Sequence, residues 1–95
     1  MANPQVVFEA LLDLVQQIPD DEASIALEVM QRYSAGMNLE AYPARLVNIS
    51  RQVPQQAREW FEIVLCVRVQ QMGRDSAWRG FAQDAFREIL ATMLD

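Results

Sequence analysis

Ninety-five residues with 52% apolar and 22% charged side chains describe one folded domain over residues 1–95, with too much apolar material for disorder. The net charge is −5, from 8 arginines and 13 acids, and the chain has no lysine and no histidine. With a single cysteine as well, an internal disulfide framework, Cys/His metal sites and histidine acid–base catalysis are all excluded, and no cofactor or metal is expected.

The longest apolar run, Ile63, Val64, Leu65, Cys66 and Val67, falls far short of the roughly 20 residues that span a bilayer. No basic stretch or cleavable apolar segment follows Met1, and the lone thiol suits a reducing compartment, so the expectation is a cytoplasmic protein with no membrane partner. The arginines are scattered at 32, 45, 51, 58, 68, 74, 79 and 87, with no two adjacent. Nucleic-acid binding draws much of its affinity from clustered cations on phosphates, so no nucleic acid is expected as a partner.

Helix signals run through the chain and strand signals are nearly absent. Asn3 and Pro4 read as an N-cap with proline in the first turn. Val7, Leu11, Leu14, Val15 and Ile18 recur at helical spacing, with Phe8 and Leu12 widening the stripe until Pro19 ends it. Asp20, Asp21 and Glu22 open the second helix, where carboxylates match the positive end of the helix dipole. That helix should run to about Ser34, bury Ala26, Val29, Met30 and Tyr33, and stop at Gly36.

Asn38 is the next candidate cap, followed by a third helix from Pro43 to Val53 with Tyr42, Leu46, Ile49 and Val53 inward. Pro54 begins a fourth helix that Gly73 terminates. A fifth starts near Asp75 or Ser76 and runs to the C-terminus, burying Trp78, Phe81, Ala82, Ala85, Ile89 and Met93. The expected fold is all-α, about five helices in a compact bundle or two αα-hairpins plus a C-terminal helix.

An internal echo accompanies this pattern. A shift of 35 positions places Asn3 on Asn38, Leu11 on Leu46, Leu12 on Val47, Gln17 on Gln52, Ile18 on Val53 and Pro19 on Pro54. Val29 falls on Val64 and Met30 on Leu65, so the unit would be helix, apolar-proline break, helix. The signature aromatic and glycine positions of tetratricopeptide repeats are missing from it.

Catalytic chemistry finds little to work with. Glu59 and Glu62 share a helix face with Gln55, as on any solvated helix, and Cys66 lacks the histidine that usually activates a thiol. The three glycines, Gly36, Gly73 and Gly80, form no phosphate loop. An enzyme is therefore not expected; a carboxylate-based one would need acids gathered in a concave pocket.

The fourth helix is apolar around most of its circumference, as helices contacted on several sides are. Two positions depart from that pattern: Cys66 lies on the polar strip with Gln55, Glu59, Glu62 and Gln70, and Arg68 lies inside the apolar arc. Arg68 must either snorkel to water from the helix end or meet a carboxylate. In the fifth helix Phe86 and Leu90 sit on a shoulder beside Arg79, away from an arc centred on Trp78, Ala85 and Ile89. The apolar excess on these two helices leads to the expectation of an α-helical protein–protein interaction module, an adaptor, small subunit or chaperone. It would self-associate as a homo-oligomer through Arg68, Trp78, Arg79, Phe86 and Leu90. The alternative is a small acidic regulator that binds a basic protein surface, in the manner of a nucleic-acid mimic.

Overall fold

The computed structural model describes residues 3–71 and 77–94. They form α1 (Pro4–Gln16), α2 (Ala23–Ser34), α3 (Ala44–Gln52), α4 (Arg58–Gln70) and α5 (Trp78–Leu94), with short 3-10 turns at Asp20–Glu22 and Gln55–Ala57. The fold is all-α, and no strand occurs among the described residues.

The punctuation acts largely as its chemistry requires. Asn3 Oδ1 accepts from the Gln5 N–H at 2.9 Å and Pro4 occupies the first turn, so α1 starts with its exposed donors partly satisfied. Helix α2 ends at Gly36, whose φ of 72° places it in the left-handed region that spares glycine a Cβ clash. Its neighbours close the end by backbone bonds, Gly36 N–H to the Tyr33 carbonyl at 3.1 Å and Met37 N–H to that of Arg32 at 2.9 Å. Asn38 caps no helix; its side chain accepts from Glu40 N–H at 2.8 Å and shapes the α2–α3 turn instead. The acidic Asp20–Glu22 trio forms a 3-10 turn ahead of α2, and α4 likewise begins at Arg58, after the turn that follows Pro54. The expected stop at Gly73 and start at Asp75 or Ser76 lie outside the described residues.

The 35-position echo is a structural repeat. Pro19 and Pro54 have φ/ψ of −60°/149° and −58°/144°, and Glu22 and Ala57 have −107°/−1° and −106°/5°. The same backbone bonds close both corners: Ile18 to Val15 and Val53 to Ser50, then Glu22 to Pro19 and Ala57 to Pro54. Each proline forces the preceding helix to stop and resets the chain for the next.

Equivalent side chains share a fate. Leu11 and Leu46, Leu12 and Val47, Ile18 and Val53, Val29 and Val64, and Met30 and Leu65 are all buried in one core. The principal contacts between helices are reciprocal, α1 with α4 and α3 with α2, and α2 lies against α4. Each hairpin's first helix thus packs on the other hairpin's second helix, the arrangement of an isologous pair joined into one chain.

Helix α5 lies on α4 and reaches α1 through its side chains. It buries Trp78, Ala82 and Phe86, whereas Phe81 and Met93, expected in the core, are 51% and 63% exposed. Ala85 and Ile89 are half-buried. The helix is rotated toward Phe86 because that ring stacks on Phe8, with centroids 4.0 Å apart, and meets the edge of Trp60 at 5.0 Å.

Candidate interaction surface

The five residues expected at a partner surface are engaged within the chain. Arg68 is 5% exposed, Trp78 6% and Phe86 1%, and Leu90 is half-buried against the core. Arg79 joins α5 to α1 through Asp13 at 3.2 Å and Glu9 at 4.0 Å. Much of the apolar width of α4 is covered by α1, α2 and α5, an arrangement the sequence did not specify, while Trp60, Ile63 and Val67 stay half-buried. Arg68, Trp78 and Phe86 are thus buried within the chain, and Arg79 and Leu90 are half-buried.

Arg68 meets its carboxylate inside the fold. Its guanidinium donates to the Val15 carbonyl at the end of α1 and to Asp20 Oδ1 at 2.7 Å. Cation and C-terminal carbonyl of a helix are favourably matched, and the ring of Trp78 stands 5.4 Å from the guanidinium carbon. One side chain of α4 thereby holds the first corner and α5. A second link, from Arg45 at the start of α3 to both carboxylate oxygens of Glu22, ties the first corner to the second hairpin.

The polar strip of α4 has a different setting. It forms one side of a groove of about 600 Å³, with Gln31 of α2 and Ile89 of α5 completing it. Trp60, Ile63 and Val67 supply apolar wall, and Glu59, Glu62, Cys66 and Gln70 supply the polar groups. Cys66 and Glu62 are half-buried, and Gln31, the counterpart of Cys66 in the repeat, faces the same groove. Trp60 and Ile89, the latter expected in the core, are half-buried wall residues of this groove.

Two groups of this groove have shifted protonation equilibria. Burial, and then the neighbouring Glu59 carboxylate, holds the Glu62 carboxyl above its usual range. Burial, and then Glu62, pushes the Cys66 thiol up as well, which lowers its thiolate fraction at neutral pH. Among the described residues, neither Glu59 nor Glu62 takes part in an ion pair. No three His, Cys, Asp or Glu side chains converge on a metal-sized site among the described residues. Two uncompensated acids above an apolar wall form a surface that a cation on an apolar stem would complement.

Glu59 and Glu62 were visible in the sequence as a pair one turn apart, but their reading as an ordinary solvated face missed the walls around them. The only signal was the persistence of the strip from Glu59 to Gln70 along an otherwise apolar helix. No helix among the described residues is long and apolar enough to cross a membrane. Compared with protein-family models, curated proteins and solved structures, the chain matches none.

Proposed function

We propose that the chain is a non-enzymatic α-helical protein–protein interaction module, and that the groove between α2, α4 and α5 receives a basic, partly apolar segment of its partner. The observation that carries this reading is the pair Glu59 and Glu62, set without a counter-charge beside Trp60, Ile63 and Val67. A lysine or arginine of the partner would lay its stem on that wall and place its charge between the carboxylates. The net charge of −5 would add long-range steering toward a basic partner.

Self-association through the α4–α5 face is the weaker reading. A twofold contact at this groove would set Glu59 and Glu62 of one copy against those of the other, and like charges in contact oppose assembly. A reducing compartment such as the cytoplasm suits the free thiol of Cys66.

Thiol protection tests the site. An amphipathic peptide of leucine and lysine, saturating the protein, should slow alkylation of Cys66, and added salt should restore the rate. Binding that leaves the alkylation rate unchanged would place the partner elsewhere.

A further inference from the structure

The repeat relates the outer faces of the two hairpins as well as their cores. Helix α5 sits on a seat made by α1 and α4, where Arg79 reaches Glu9 and Asp13 and donates to Gln16, and Trp78 lies against Arg68. The counterparts of those four seat residues, 35 positions away, are Ala44, Asn48, Arg51 and Tyr33. All four line one further groove of about 600 Å³, between the end of α2 and the outer face of α3. Val47, the counterpart of the buried Leu12, lies in the same groove.

By the repeat, this groove corresponds to the α5 seat, and no helix lies in it among the described residues. The α2–α3 linker forms one wall of it through residues from Gly36 to Tyr42, with Leu39 and Tyr42 packed on the core and Glu40 exposed.

We infer that this second groove is a docking site for a helix of another protein, lying across α2 and α3 as α5 lies across α4 and α1. The charges at the two seats define its occupant. At the α5 seat the acids Glu9 and Asp13 receive a cation of the incoming helix. At the second seat Ala44 and Asn48 stand in place of those acids, and an arginine, Arg51, stands in place of Gln16. Arg51 is exposed and joins no ion pair among the described residues. The occupant therefore carries a carboxylate where α5 carries Arg79, with an aromatic or aliphatic anchor next to it for Tyr33 and Val47. A second copy of α5 is the wrong helix, because its Arg79 would face Arg51.

Two peptides test this without any knowledge of the natural partner: residues 78–94 of this chain, and the same peptide carrying Arg79→Glu. The intact protein should bind the Arg79→Glu peptide roughly tenfold more tightly than the unaltered one, the scale of one exchanged charge pair. Protein carrying Arg51→Glu, an exposed change in the last turn of α3 whose helical content is checked first, should reverse the order, while the Glu59→Gln, Glu62→Gln protein should bind as wild type does. Equal affinity of the two peptides, no binding of either, or an unchanged preference in the Arg51→Glu protein would overturn the inference. Because the Glu59→Gln, Glu62→Gln protein reports any binding at the other groove, failure of that reading is distinguished from failure of this one.

Discussion

Arg68 and Asp20 lie 48 positions apart and meet at 2.7 Å, the guanidinium buried and the carboxylate at the surface. The pair closes the first hairpin onto α4 and gives the arginine in the apolar arc its partner. Arg68→Ala would remove the link to Val15 and Asp20 and the packing against Trp78, at a cost of about 2–4 kcal/mol. Asp20→Asn should cost less, about 0.5–1.5 kcal/mol, because the carboxylate is solvated and the Val15 carbonyl remains as acceptor. Chemical denaturation of both variants measures the difference; equal losses would contradict the asymmetry.

Phe86 stands at the junction of α1, α4 and α5 through its stack on Phe8 and its contact with Trp60. Phe86→Ala should destabilise the fold by about 3–5 kcal/mol, as deletion of a buried ring does. Phe81→Ala, at the exposed side of the same helix, should cost less than about 1 kcal/mol. Sedimentation should find the oligomeric state unchanged in Phe81→Ala and in folded samples of Arg68→Ala. A shift to smaller species in Arg68→Ala would return that residue to an assembly interface.

The thiol of Cys66 should react in the native protein, since it is half-buried in an open groove, but more slowly than a cysteine in an unfolded peptide. Its raised pKa leaves less thiolate at neutral pH, so the lag should shrink as the pH approaches and passes the ordinary thiol value of 9.0. Stopped alkylation followed by mass measurement reads both rates. Labelling confined to the denatured protein would mean that the groove is closed.

Glu62 predicts the pH dependence of stability. Its pKa is raised in the folded state above the ordinary 4.5, so its stabilising effect is fully present below 4.5 and is lost as pH rises through the folded value. Glu62→Gln should therefore melt at a higher temperature than wild type at neutral pH, with the gap closing as the solution is acidified below 4.5. A variant less stable than wild type at neutral pH would mean that Glu62 has a favourable partner in the fold.

Helix number and most boundaries were legible because Pro4, Pro19, Gly36, Pro43 and Pro54 impose local backbone limits that no tertiary contact reverses. The repeat was legible for the same reason, its prolines and the apolar residues before them falling in register. The orientation of α5 was not, since that helix carries a second apolar shoulder of Phe86 and Leu90 beside its main arc, and Phe8 and Trp60, far along the chain, select Phe86 as its inward face. Asp20 read as a charge matched to a helix dipole, and nothing local tied it to Arg68. The groove at Glu59 and Glu62 depends on how α2 and α5 flank α4, which no periodicity within α4 records.

Calorimetric titration of the leucine–lysine peptide into wild type and into the Glu59→Gln, Glu62→Gln protein tests the central claim most directly. Wild type should bind with an affinity that falls steeply with salt, and the double variant should bind roughly tenfold or more weakly while keeping its helical content. Equal affinity and equal salt dependence in the two proteins would contradict the account.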